Sequence, residues 1–194
     1  MMKKNRYGRS AFSRYLKTLF VFSIILLGGC FTTTIHHGGY AGIRLSPLSF
    51  GQEVSLFQRI TVHENERVNQ IEIALEIDAD RIDLVGLAMG QRVLSLHYDG
   101  TTLTSSRHTM LPKEVQAEDV LENLQMALWP EDAVRDALPS GWKMEESAGK
   151  RFFYLHEQLV SEISYSTEVR WLGVIEIHNQ RFGYHLVIHS VSAV

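Results

Sequence analysis

Nine histidines, several paired carboxylates and one cysteine are the groups in this 194-residue chain whose types and spacing could do chemistry. His185 and His189 stand four apart, a spacing that would let two imidazoles on one helical face share a metal ion. The residues around them alternate as in a strand, where four residues span about 13 Å, too far for one ion. His97, His178, His185 and His189 therefore read as satisfied or solvated strand residues. His36 and His37 are adjacent in a polar stretch without further ligands and read as solvated. Glu145 with Glu146, and Asp78 with Asp80, have the types of an acid and base pair, but charged turns of this kind are usually structural. No Gly-x-Ser-x-Gly elbow, phosphate-binding loop or His-Glu-x-x-His motif occurs. The expectation is a chain with no catalytic residues, no metal site and no cofactor.

Cys30 is the remaining reactive group, and its context gives it a use. Lys3, Lys4, Arg6, Arg9, Arg14 and Lys17 form a basic segment, followed by an apolar run from Leu19 to Leu27 broken only by Ser23. The run is shorter than the ~20 residues of a membrane span and reads as an export signal. Leu27-Gly28-Gly29-Cys30 resembles the lipobox of bacterial lipoproteins, which implies diacylation of the Cys30 thiol and cleavage in front of it. By the same resemblance Phe31, rather than an aspartate, at the second mature position implies sorting to the outer membrane. Each buried methylene of the acyl chains adds about 0.8 kcal/mol of anchoring. The organisation expected is a signal peptide at 1–29, an acylated cysteine and tether at 30–42, and a single domain at 43–194.

Without the signal the chain keeps 13 basic residues against 22 acidic ones, a net charge of −9, which makes nucleic acid an improbable partner. With Cys30 acylated no thiol is left for a disulfide, so the core must hold by packing.

Ile71, Ile73, Leu75 and Ile77 alternate with polar residues, the pattern of a strand with one wet face. Asp78-Ala79-Asp80 turns the chain into Arg81–Leu87. A further strand after Gly90 places Leu94, Leu96 and Tyr98 on one side, and Asp99-Gly100 predicts a type I′ hairpin turn. From Glu114 to Leu128 the period changes, with Ala117, Val120, Leu121, Leu124, Ala127 and Leu128 at helical spacing. Trp129-Pro130 ends that helix and starts a short second one, with Pro130 at its first position. Strand patterns return over Arg151–His156, Leu159–Ser166, Trp171–Ile177 and Phe182–Ile188. The fold class expected is mainly β (α+β): a curved antiparallel sheet forming an incomplete barrel with a helical insert or lid.

The run Arg81–Leu87, then Gly90-Gln91-Arg92, Tyr98-Asp99-Gly100, Leu124–Pro130, Gly141-Trp142, Ile175–Asn179 and Gly183-Tyr184 resembles an uncharacterised family of bacterial lipoproteins often encoded beside aryl-polyene biosynthesis genes. That family is distantly similar to the lipoprotein-localisation proteins LolA and LolB, half-open antiparallel barrels with helical lids that carry acyl chains. The resemblance implies that Ala88-Met89-Gly90 corresponds to the LolB turn whose apolar tip enters the membrane, with Met89 as the projecting residue. That segment departs from the LolB pattern at two of three positions.

A half barrel lined by Leu, Ile and aromatic residues would suit acyl or polyene chains. Ile73, Leu75, Leu94, Leu96, Leu121, Leu124, Ile175 and Leu186 are the cavity-lining candidates. Trp129, Trp142, Trp171, Tyr98, Phe153, Tyr165, Phe182 and Tyr184 are core by default. The function expected is an outer-membrane lipoprotein on the periplasmic face that accepts a lipoprotein or aryl-polyene lipid, delivered by a periplasmic carrier protein, and helps insert it. The alternative is a non-catalytic accessory lipoprotein that docks an envelope protein.

Overall fold

Period-two alternation of apolar and polar residues, punctuated by short turns, builds ten strands in the computed structural model, which describes residues 41–64 and 66–193. The signal segment, Cys30 and the tether as far as residue 40 lie outside the described residues. Five strands precede the helices: β1 (Val54–Glu64), β2 (Arg67–Ile77), β3 (Ile82–Ala88), β4 (Gln91–Tyr98) and β5 (Leu103–Arg107). Helices α1 (Ala117–Leu128) and α2 (Glu131–Ala137) follow. Five more strands complete the chain: β6 (Trp142–Ser147), β7 (Lys150–Leu155), β8 (Gln158–Tyr165), β9 (Gly173–Asn179) and β10 (Tyr184–Ser192).

All ten form one open sheet in the order β5-β4-β3-β2-β1-β10-β9-β8-β7-β6, with every neighbouring pair antiparallel. Sequential hairpins make each five-stranded half, and β1 with β10 makes the seam between them. Because β5 and β6 end the sheet without pairing to each other, the architecture is consistent with an incomplete barrel. At the seam Gln58 and Ser190 face each other on the inner side, the Gln58 amide donating to the serine hydroxyl at 2.8 Å.

The inner face and α1 share one hydrophobic core. Leu56, Leu75, Ile77 and Ile82 from the first half meet Phe153, Ile163, Ile175 and Ile177 from the second, with Leu121 and Trp129 from the helix and its end. Ahead of β1, residues 41–50 run along α1 as a strap, burying Ile43, Leu45 and Phe50.

Several local expectations are corrected. Asp99-Gly100 does not form a type I′ turn. Tyr98 pairs with Leu103 across a four-residue loop in which the Asp99 carboxylate accepts the amides of Thr101 and Thr102, and only Gly100 has positive φ. Two-residue turns with both φ positive occur instead at Met89-Gly90 (51° and 74°), Ala148-Gly149 and His156-Glu157. Helix α1 begins at Ala117 rather than Glu114, and Pro130 is the N-cap of α2 rather than its first residue. Strand β6 was hidden from pattern reading, since Trp142-Lys143-Met144-Glu145-Glu146-Ser147 holds only two large apolar residues. Strand β9 starts at Gly173, which leaves Trp171 in the preceding loop, its ring edge-on to Phe50.

Candidate functional site

A groove of about 510 Å³ opens at one end of the sheet. Its walls come from the residues leading into β1 (Gln52 to Leu56), the end of β2 (Glu76, Ile77, Asp78), the loop before β9 (Trp171, Leu172) and Ser192. Both halves of the sheet therefore contribute. Leu56 and Ile77 belong to the buried core as well as to the groove lining, so the apolar floor of the groove is the core itself. The rim is acidic. Among its carboxylates Asp78 accepts the amides of Asp80 and Arg81, which hold it below its ordinary range.

The eight cavity-lining candidates all point into the core. Ile73, Leu75, Leu94, Leu96, Leu121 and Ile175 are buried, and Leu124 and Leu186 are partly buried against the same cluster. None of them lines the groove. Nor do they line a second, near-closed gap of about 10 Å³ between α1 and β8, too small for more than one water.

Met89 stands at the opposite end. It is 87% exposed at the tip of the β3–β4 turn, with Leu87 partly exposed beside it. Positive φ is uncommon for a residue with a Cβ and costs on the order of 1 kcal/mol. Here an apolar side chain is held outward in a conformation that glycine would adopt without strain.

Polar groups flanking α1 were not visible as functional residues in the sequence, because they interrupt its apolar stripe. The Glu122 carboxylate accepts the amides of Ala41 and Gly42, each at 2.6 Å. Burial pushes its carboxyl above the ordinary range despite those two bonds and nearby Arg44. Gln125, wholly buried, both donates to the Leu45 carbonyl and accepts its amide, standing in for a neighbouring strand. The Trp129 indole donates to the Ser46 carbonyl and the Ser49 hydroxyl. At the C-terminal end of α1 the buried Arg151 guanidinium donates to the carbonyls of Met126, Ala127 and Trp129. Its Nε pairs with Glu146 at 2.8 Å, and Glu146 also pairs with Arg170. Tyr165 donates to the Ala127 carbonyl, and burial pushes its phenol up to about 12.

The other candidates are placed as follows. Glu145 pairs with exposed Lys143, while Glu146 faces Arg151, so this carboxylate pair does not converge. His97 pairs with Asp83, and His189 lies on the outer face of β10. His178 and His185 do come together, through strand pairing rather than sequence spacing, and Glu176 joins them. These three are the described residues whose donor atoms are grouped closely enough to hold a metal ion. Of the aromatics, Trp129, Tyr98 and Phe153 are buried and Phe182 is exposed. Among the described residues no helix is long and apolar enough to cross a membrane.

Residues 55–192 match the family described as "Protein of unknown function (DUF3261)", which spans β1 to β10, and the chain belongs to that family. No curated protein matches it in sequence.

Proposed function

We propose that this protein is an outer-membrane lipoprotein, anchored through Cys30, that binds the apolar tail of an amphiphile and helps transfer it into the membrane. The observation that carries this reading is the groove, in which half-buried Val54, Trp171 and Leu172 present apolar surface beside the closed core residues Leu56 and Ile77. Its volume falls within the roughly 300–1,000 Å³ of small-molecule sites. A tail bound there loses contact with water, which contributes about 0.8 kcal/mol per methylene. No covalent step is needed. The strand, helix, strand order is also that of the half-open barrels LolA and LolB, and the cargo class implied by that likeness is a lipoprotein acyl chain or an aryl-polyene lipid.

The ends of the sheet support an orientation. Register places the Met89 turn, the β1–β2 turn and the β9–β10 turn at one end, and the groove at the other. Ala41 is held by Glu122, one residue before Asn123, whose amide oxygen accepts from Tyr184 at that same Met89 end. In this reading the exposed apolar tip at Met89 meets the bilayer, and the groove at the other end of the strands takes cargo from a periplasmic carrier.

The deciding experiment is extraction of the full chain, purified from envelopes in mild detergent, and mass spectrometry of bound lipid, followed by titration with a lysophospholipid and a diacylated lipopeptide. Copurifying amphiphile or saturable uptake is expected. No bound lipid and no uptake would overturn the carrier reading. The filled interior favours a second reading, an accessory lipoprotein that docks an envelope partner, and that negative result would select it.

A further inference from the structure

Independently of any cargo, we propose that Glu176, His178 and His185 form a binding site for a borderline divalent transition ion of the zinc and copper class, with His63 stacked beside it. The site is made by register. His63 on β1, His185 on β10 and His178 on β9 are directly opposite one another across three adjacent strands, all on the outer face of the sheet. Their rings stack in a row, His178 on His185 at 3.9 Å between centroids and His185 on His63 at 5.4 Å. Glu176, two residues before His178, lies on the same face. One of its oxygens is 3.3 Å from His185 Nε2 and 3.7 Å from His178 Nε2, and the three donor atoms all lie within 4.8 Å of one another.

Those separations suit an ion. Tetrahedral zinc with bonds of about 2.0–2.1 Å holds its ligands roughly 3.4 Å apart; the donor atoms are already near that spacing, and binding requires the stacked His178 and His185 rings to turn out of their near-parallel stack so that both ring planes meet the ion. The donors ride on paired strands rather than on a loop, which limits the ordering entropy that binding must overcome. Two imidazoles and one carboxylate are the donor types that zinc takes with a fourth position open. Magnesium and calcium prefer all-oxygen shells and gain little from such a set. The neighbouring Glu162, opposite His178, is engaged by Lys150 at 2.7 Å and does not complete an acidic site there. An ion held by His178 and His185 ties β9 to β10.

The test uses the full chain in detergent, without a polyhistidine tag, stripped with a chelator and titrated with zinc against a chromophoric competitor. One zinc per chain is expected, with a rise in the thermal midpoint by linkage, and magnesium is expected to give neither. His178→Ala and His185→Ala should each weaken zinc binding at least about tenfold, and His63→Ala less. His189→Ala, on the same strand and face, should leave it unchanged, as should the joint replacement of His36 and His37. Circular dichroism matching the parent shows that each variant is folded. Zinc binding that survives the joint loss of His178 and His185, or that follows His36 and His37, would overturn the site, as would the absence of stoichiometric binding.

Discussion

Arg151 shows how one residue can fix an element. Its buried guanidinium satisfies carbonyls at the end of α1 that the helix itself leaves unpaired, and its charge is balanced by Glu146. Arg151→Met leaves Glu146 with Arg170 but strips the buried carbonyls of Met126 and Trp129 of their donor, each costing about 1–3 kcal/mol, which should be read as a lower urea midpoint at constant slope. Glu146 gives that interaction a pH signature. Burial alone would raise its carboxyl, but Arg151 and Arg170 outweigh burial and hold it below its ordinary 4.5. A depressed folded value contributes stability that is complete above 4.5 and lost as pH falls through the lowered value. Glu146→Gln should therefore flatten the acid limb of a stability–pH profile below 4.5, and an unchanged limb would show that other carboxylates dominate it. Met89 works in the opposite sense, since its left-handed backbone costs stability. Met89→Gly should raise stability by about 1 kcal/mol while weakening association of the protein with phospholipid vesicles. A variant gaining stability with vesicle association intact would remove Met89 from the membrane contact.

At the scale of elements, the strap and α1 depend on each other through side chains that a hydrophobic pattern treats as interruptions. Gln125→Ala removes both partners of the Leu45 backbone at a buried position, and each unsatisfied group costs about 1–3 kcal/mol. Faster amide exchange over residues 41–46, with the sheet still protected, is the expected result; uniform exchange would mean that the strap does not open separately. The same residues explain what was legible in the sequence. The strands carrying Ile71, Ile73, Leu75 and Ile77, and those carrying Ile175, Ile177 and Ile188, were readable because one face is dry and the other wet. Helix α1 was readable by period, but only its sheet-facing stripe. Glu122 and Gln125 are buried because a distant backbone needs their oxygens, and no local pattern carries that requirement. The His178–His185 pair was hidden for the same reason: six residues part them on the chain, and only antiparallel pairing makes them neighbours. The Asp99-Gly100 turn was misjudged because Asp-Gly is the stronger two-residue turn signal, whereas the Asp99 carboxylate, by accepting the amides of Thr101 and Thr102, supports a four-residue loop there.

For the whole molecule, the groove and the exposed Met89 lie at opposite ends of the strands. From the level of Met89, near Gln70 on β2, to Ile77 at the groove is seven residues, roughly 23 Å of strand. The core between them is filled, so a tail held at the groove cannot reach the Met89 end without displacing side chains or the strap over α1. If the proposed function holds, uptake and membrane association should therefore be separable by substitution. Leu172→Glu places a charge in the apolar wall of the groove and should weaken lysophospholipid uptake about tenfold, equivalent to about 1.4 kcal/mol, with vesicle association unchanged. Met89→Glu should do the reverse, lowering vesicle association and lipid delivery with uptake intact. Titration and vesicle flotation on the two variants read these independently. If either substitution abolishes both properties while the fold is retained, the two ends act as one site and the division of labour along the strands is wrong.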